Sequence, residues 1–253
     1  MQARVVATSR GARWLAEGWQ LFRAAPLGWL AAVFGYWLLM TVVSLVPFVG
    51  VAAAALLVPA FSVGFMTLAR AASRRAPLEI GLLFDGFRHE LRTQLVLGAI
   101  YLACLALLLA ASALADEGAL ANWILTGAQP EDEVLQSPDF LAALATAAAL
   151  YLPVMLAFWF APPLAAWHAL GAAKALFFSL AASLMNWRAF LIYGAVIAAT
   201  MLVVRFALAQ AALAGAARIA PLIVLPLAIA LLPILFASFY ASYRDVFGYA
   251  AAP

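Results

Sequence analysis

The sequence predicts an all-α integral membrane protein with six transmembrane helices. Its 253 residues are 68% hydrophobic and 10% charged, whereas soluble domains are about half apolar and about a quarter charged. Six apolar runs approach the roughly 20 residues that a helix needs to cross a bilayer. Basic residues concentrate on alternate connections between these runs, which is the charge pattern of inner-membrane proteins.

We expect one polytopic membrane domain over residues 1–253, with spans at about 27–49, 51–69, 94–115, 140–168, 189–213 and 219–240. Tight turns are expected at residues 47–50 and at Gly215, between the first two and the last two spans. Arg205 interrupts the fifth span. Prolines crowd the sixth span at positions 221, 226 and 233, where neighbouring helices can satisfy the carbonyls that proline frees.

The charges on the connections predict how the chain is oriented. Arginine and lysine lie in the N-terminal segment, in the second and fourth connections and at the C-terminus, whereas the connection 116–139 holds acids and no base. Because basic connections stay on the cytoplasmic side, both termini should be cytoplasmic and the acidic loop 116–139 external. Lysine is almost absent beside many arginines, which suggests a GC-rich bacterial source and hence the bacterial inner (cytoplasmic) membrane.

Amphipathic cytoplasmic helices are predicted before spans 1, 3 and 5. Apolar residues recur there at helical spacing in three sets: Trp14, Leu15, Gly18, Phe22 and Ala25; Ile80, Leu83, Phe84, Phe87 and Leu91; and Leu176, Phe177, Leu180 and Leu184. In the third set Ser179, Ser183 and Asn186 take the opposite face. An interfacial helix, an outward span and a returning span thus occur three times, which suggests a three-fold parallel repeat.

Two arginines are the candidate ligand or ion-pair residues. Arg205 lies within the fifth span, where a charged group is costly and marks a functional site by default. Arg218 precedes the sixth span. Either side chain could instead snorkel to the outer interface and pair with the acidic loop, so a structural role and an anion-binding role are both open.

Four arginines are candidate contacts for lipid head groups: Arg70, Arg74, Arg75 and Arg88. Such a juxtamembrane basic cluster suits anionic head groups. Aromatic residues near the same side fit an interfacial belt: Trp14, Trp19, Trp29, Phe84, Phe87 and Trp187. Ordinary anchoring of the topology accounts for the same residues, so specific lipid recognition is one of two interpretations.

The sequence carries no catalytic, cofactor-binding or metal-binding signature, and we expect no cofactor. His89 and His168 are isolated, and two histidines without clustered acids or thiols do not make a metal site. The single cysteine, Cys104, lies in an apolar run, and the formal charge is only +3. We therefore expect membrane lipids as partners, with a membrane protein complex or self-association as further alternatives, and no nucleic acid.

Three segments resemble an uncharacterised family of proteobacterial polytopic inner-membrane proteins: GARWLAEGWQLFRAAPLGWL (11–30), RAPLEIGLLFDGFR (75–88) and NWRAFLIYG (186–194). The resemblance runs across the whole chain. More distantly, the plan of interfacial helix and span pair resembles the membrane domain attached to some glycerophosphodiester phosphodiesterases. Neither resemblance implies a functional residue, and the phosphodiesterase catalytic domain has no counterpart here.

The leading hypothesis is a non-enzymatic accessory protein of the inner membrane that binds lipid or a membrane protein partner. The alternative is a small transporter or channel for an anionic or amphipathic solute, with Arg205 and Arg218 facing an outward cavity. A lipid head-group enzyme is the second alternative, and the absence of paired acid and base residues argues against it. A lipid-turnover rate abolished by mutating Asp85 and His89 together would support it.

Overall fold

The structure is a computed structural model that describes residues 2–46, 49–213 and 220–248. These residues form twelve α-helices and one 3₁₀ helix, Ile80–Phe84, with no β-strand among them. The α-helices are α1 (Arg10–Ala24), α2 (Pro26–Ser44), α3 (Gly50–Ser73), α4 (Asp85–Arg88), α5 (Leu91–Asp116), α6 (Ala119–Thr126), α7 (Asp132–Leu135), α8 (Pro138–Trp159), α9 (Ala161–His168), α10 (Ala172–Met185), α11 (Trp187–Leu213) and α12 (Ala220–Phe247).

Six helical segments of the described chain are long and apolar enough to cross a membrane: Pro26–Ser44, Ala52–Ser73, Leu91–Asp116, Pro138–His168, Trp187–Ala211 and Ile229–Phe247. The predicted six-span, all-α fold is therefore confirmed. The first span ends earlier than predicted and the sixth helix continues further, to Phe247. Residues 47–48 of the first predicted turn, and Gly215 of the other, lie outside the described residues.

The fourth span is broken at Phe160, although the sequence predicts one helix over 140–168. The hydroxyl of Ser179 on α10 inserts between two backbone groups that a continuous helix would pair. Ser179 Oγ accepts a hydrogen bond from Phe160 N at 2.8 Å and donates one to Leu156 O at 2.9 Å. Insertion of a side chain into the backbone ladder is a known cause of helix kinks.

Two of the three predicted amphipathic helices precede spans 1 and 3. The first is confirmed, because α1 buries Trp14 and Phe22 along one face. The second is not one helix but the 3₁₀ helix followed by the single turn α4. Glu90 then adopts a left-handed conformation with φ 53°, which separates this segment from α5.

The third predicted amphipathic helix forms as α10, and its polar face is the one that packs against the protein. Its polar residues Ser179, Ser183 and Asn186 are buried, whereas Phe177 and Leu184 are exposed. The two serines donate hydrogen bonds to Leu156 O. Asn186 binds the N-terminal segment by accepting from Val6 N and donating to Arg4 O. The apolar face is free to contact lipid, which costs nothing in a bilayer.

The interfacial segments join the span pairs in a ring. The 3₁₀ helix contacts α2 and α3, α10 contacts α5 and α8, and α1 contacts α11 and α12. Each interfacial segment therefore packs on both spans of the pair before it, and the first packs on the last pair. A closed three-fold arrangement of repeats predicts this cyclic pattern.

The two ends of the bundle differ in packing and charge. We call the end formed by α1, the 3₁₀ helix, α4 and α10 the basic end, and the end formed by α6 and α7 the acidic end. The largest core cluster lies at the basic end, where α3, α9 and α12 bring together Phe65, Leu164 and Tyr243. At the acidic end, the buried Asp116 carboxylate accepts hydrogen bonds from Gly118 N and Leu120 N and so orders α6.

Helix α1 is held by close backbone contacts and by ion pairs. A Cβ on Gly11 would lie 2.0 Å from Ala189 O on α11, so only glycine permits this approach. On the other side, Arg10 forms ion pairs with Glu17 and Asp245, and Glu17 also pairs with Arg244. These contacts attach α1 to both helices of the last span pair.

Candidate functional site

An apolar cavity of about 880 Å³ lies between α3, α8, α11 and α12, beside the end of α10. Its lining comes from the half of each span nearest the basic end: residues 62–66, 152–159, 187–198 and 232–239. Ligand pockets in proteins are typically about 300–1,000 Å³. The cavity therefore has the size of a binding site and lies within the membrane-spanning part of the fold.

Aromatic rings form one wall of the cavity. Trp159 lies at the centre, with ring centroids 5.2 Å from Phe190, 5.7 Å from Tyr193 and 4.3 Å from Phe239. The hydroxyl of Tyr193 is 2.7 Å from Ser238 Oγ, so it already has a hydrogen-bond partner. The lining is otherwise almost wholly hydrocarbon, which favours an apolar ligand.

The cavity reaches the surface of the bundle between α8, α10 and α11. Leu152, Leu184 and Leu191 all line it and are 53%, 52% and 62% exposed. A Cβ added to Gly194, which also lines it, would meet no atom within 4 Å. The opening therefore faces the side of the bundle, where lipid chains would surround the protein.

The cavity exists because α11 stands apart from the other spans. Only 6% of its most apolar stretch is buried, and its main packing partner is α1 rather than α8 or α12. Trp14 of α1 is fully buried and contacts Phe190 and Tyr193 with ring centroids 5.4 and 5.9 Å away. Helix α1 thus supports α11 at the basic end. The space between α11 and the spans α8 and α12 stays open and forms the cavity.

Of the two candidate ligand arginines, the structure describes Arg205. Arg205 lies on α11, is exposed and is absent from the cavity lining. Arg218 lies outside the described residues. The fifth span therefore presents Arg205 on the outer side of the bundle.

The four candidate head-group arginines fall into two classes. Arg74, Arg75 and Arg88 are exposed at the basic end. Arg70 is half-buried, and its guanidinium lies over the ring of Trp167, 4.8 Å from the centroid. Arg70 lies within the last turn of α3, whereas Arg74 and Arg75 follow the end of that helix.

Asp85 and His89 are neighbours at the start of the second repeat. His89 Nδ1 lies 3.5 Å from Asp85 Oδ1, and Asp85 Oδ2 accepts a hydrogen bond from Thr67 at 2.8 Å. The described part of the chain contains no group of three or more metal-ligating side chains. Cys104 is free and half-buried.

Sequence reasoning did not find the cavity and placed two tryptophans wrongly. Trp14 and Trp29 belong to the core, being fully buried, whereas Trp19 and Trp187 are exposed as an interfacial belt requires. Trp159 was not singled out as a lining residue. The available signal is the aromatic spacing itself, since Trp187, Phe190 and Tyr193 share one face of α11.

The fold and the apolar lining define a polytopic helical inner-membrane protein. The chain is 41% identical over 256 residues to a probable inner membrane protein of Burkholderia thailandensis, and the match covers 98% of this chain and 94% of that protein. It belongs to the family of that protein. No protein-family model matches the chain, and no solved structure gives a significant match. The comparisons give no support to the distant resemblance to phosphodiesterase membrane domains.

Proposed function

We propose that this protein is a non-enzymatic accessory protein of the inner membrane that binds a lipid through its hydrocarbon chain. The observation that carries the proposal is the apolar cavity of about 880 Å³, which reaches the lipid-facing side of the bundle at Leu152, Leu184 and Leu191. The charge pattern predicts that the basic end is cytoplasmic, and on that prediction the lipid would come from the cytoplasmic leaflet.

A hydrocarbon chain suits this cavity better than water does. Apolar cavities stay dry, because a buried water needs about two to four polar partners. Among the lining residues Ser62 and Tyr193 carry hydroxyls, and that of Tyr193 is already paired with Ser238. In a bilayer the neighbouring molecules with matching chemistry are lipid chains, which can enter at the side.

The transmembrane helix of a partner protein is the second occupant that the exposed rim could receive. A helix is about 10 Å wide with its side chains, and it would cover Leu152 and Leu191 from outside rather than fill the cavity behind them. The depth of the cavity between α3 and α12 therefore favours a flexible chain. Transport of an anion has less support, because Arg205 lies outside the cavity lining.

The test compares two glycine variants that add the same side chain. Gly194→Phe adds a benzyl group to a lining position at which even a Cβ meets nothing within 4 Å. Gly35→Phe adds it to α2, where a Cβ likewise meets nothing within 4 Å. Gly35 does not line the cavity, so this variant controls for the added bulk.

The measurement is native mass spectrometry of protein purified in a mild detergent, with extraction and quantification of bound lipid. We expect the wild type and Gly35→Phe to retain a lipid in stoichiometric amount and Gly194→Phe to retain clearly less. Equal retention by both variants would refute binding in this cavity. A stoichiometric protein in place of lipid would show that the occupant is a partner subunit.

A further inference from the structure

A cluster of polar and aromatic side chains lies at the basic end, where α3 and α9 end. It consists of Arg70, Trp167, His168 and Tyr243. Arg70 lies over the face of Trp167, and the Trp167 ring packs edge-on against Tyr243 of α12 with centroids 5.0 Å apart. The next residue, His168, is held through a 2.9 Å hydrogen bond between its Nε2 and the Tyr243 hydroxyl. Tyr243 is almost fully buried, so it fixes both Trp167 and His168 in place.

Two hydrogen-bond donors of this arrangement have no acceptor. Arg70 Nη1 and Trp167 Nε1 are both buried, and neither has a partner within the described part of the chain. Buried donors without partners are rare in native structures and ask for an explanation such as an absent ion. Both belong to the same stacked pair, so one acceptor group could serve both.

The carboxylates that could neutralise Arg70 are engaged elsewhere. Glu17 and Asp245 bind Arg10 and Arg244, and Asp85 binds Thr67 and lies beside His89. Over residues 2–46, 49–213 and 220–248, no carboxylate lies within ion-pair distance of Arg70. This arrangement therefore carries a positive charge and two donors without a partner in the described chain.

We propose that Arg70 and Trp167 form a binding site for a phosphate group at the basic end of the bundle. The planar guanidinium matches the geometry of a tetrahedral oxyanion and can offer it two parallel N–H groups. The indole N–H supplies a further donor, and the stacked ring holds the guanidinium in position. Arg70, Trp167 and His168 each keep part of their surface exposed, so the arrangement lies at the surface of the basic end.

This site is separate from the cavity, and the proposal does not rest on the proposed function. Met66, which lines the cavity, precedes Arg70 by one helical turn, or about 6 Å along α3. The phosphate can belong to a lipid head group in the membrane or to a soluble ion. These two sources present the same chemistry, and the experiment distinguishes them.

The experiment measures thermal unfolding of the protein in a neutral detergent with two pairs of additives. Sodium phosphate is compared with sodium chloride at equal ionic strength. Dioctanoyl phosphatidic acid is compared with dioctanoyl glycerol, which has the same chains and no phosphate. The proteins are the wild type, Arg70→Gln, Trp167→Phe and the control Arg74→Gln, which removes an exposed arginine four residues away.

We expect phosphatidic acid to stabilise the wild type and Arg74→Gln, with binding at least about tenfold weaker in Arg70→Gln and Trp167→Phe, because each loses a charged or buried hydrogen bond. Trp167→Phe keeps an aromatic ring under Arg70 and removes the indole N–H, and the shift that an additive causes is measured against the Tm of each variant without additive. Stabilisation by phosphate alone identifies a site open to soluble ions, and stabilisation by phosphatidic acid alone identifies a lipid head-group site. No stabilisation of the wild type, or equal stabilisation of all four proteins, overturns the proposal.

Discussion

The ion pairs between α1 and α12 give the sharpest prediction about stability. Asp245 Oδ2 accepts hydrogen bonds from Arg10 Nε at 2.5 Å and from Trp14 Nε1 at 2.7 Å. Glu17 binds the far side of Arg10 and also Arg244. The variant Asp245→Asn keeps the shape of the side chain and removes its charge, so it tests this network with little change in packing.

The expected cost follows from the two hydrogen bonds that Asp245 accepts. A hydrogen bond to a charged group contributes about 1.5–3 kcal/mol and a neutral one about 0.5–1.5 kcal/mol. Because the Asp245 side chain is only 15% exposed, little of this difference is screened by solvent. The bond from Trp14 becomes neutral and the bond from Arg10 loses only the charge of its acceptor, so the protein should be destabilised by roughly 1–3 kcal/mol, or Tm lowered by roughly 2–12 °C on the scale of soluble domains of this size.

The hydrogen bond from Arg10 to Asp245 raises the pKa of Arg10 above its ordinary value, against the opposing effect of desolvation. A raised pKa means that the stabilisation is fully present below the unfolded-state value and is lost only as the pH rises through the folded-state value. Arginine is already charged at all pH values in ordinary use. We therefore expect the difference between the wild type and Asp245→Asn to stay constant from neutral to mildly alkaline pH.

The assay is thermal unfolding in a mild detergent, followed by tryptophan fluorescence, with Asp132→Asn as the control. Asp132 is an exposed acid in α7 at the acidic end, so its replacement should leave Tm nearly unchanged. Since α1 also supports α11, Asp245→Asn should reduce lipid retention in the cavity as well. If Asp245→Asn unfolds at the same temperature as Asp132→Asn, the network does not stabilise α1 and the reasoning is wrong.

Three further variants test the contacts that shape the bundle. Gly11→Ala should lower Tm strongly, because its Cβ would lie 2.0 Å from Ala189 O, whereas Gly35→Ala should not, because its Cβ meets nothing within 4 Å. Ser179→Ala leaves Phe160 N without its hydrogen bond to Ser179 Oγ and should cost roughly 1–3 kcal/mol, measured as Tm. Asp116→Ala should speed amide hydrogen exchange at the start of α6, where its carboxylate caps two N–H groups; unchanged exchange would contradict the capping role.

The spans could be predicted because length and hydropathy determine them almost alone. A charged or polar connection cannot enter the hydrocarbon cheaply, so the ends of α3, α5 and α8 fall within four residues of their predicted positions or at a kink inside the span. The break in the fourth span has one cause in its own residues, because Pro162 and Pro163 follow it directly and proline lacks the N–H that continues a helix. The second cause, the hydrogen bonds of Ser179 to Phe160 N and Leu156 O, could not be predicted because Ser179 lies on another helix.

The inward face of α10 shows why amphipathic patterns mislead inside a membrane. In water the apolar face of an amphipathic helix turns inward, which would bury Phe177 and Leu184. In lipid the apolar face gains nothing by burial, whereas Ser179 and Ser183 find carbonyl acceptors only within the protein. Small polar residues therefore mark the buried side of such a helix.

The three arginines that follow the second span also differ in a way that the sequence does not show. Arg70, Arg74 and Arg75 look equivalent in the sequence, because all three follow the second span and carry the same charge. The three-dimensional contact with Trp167, 97 positions later, gives Arg70 a partner that the other two arginines lack. Pairing across such a distance in sequence leaves no local pattern, so the candidate phosphate site could not be predicted.

Helix α1 connects the ion pairs at the basic end to the wall of the proposed lipid-binding cavity. One face carries Arg10 and Glu17, whose ion pairs attach it to α12 at the basic end. The same face carries Trp14, one turn after Arg10, whose ring contacts Phe190 and Tyr193 on the wall of the cavity. Because α11 has little other packing, a displacement of α1 must change the width of the cavity. A change that weakens the Arg10–Asp245 pair should therefore open the cavity and so reduce lipid retention. A deletion in the acidic loop should leave lipid retention unchanged.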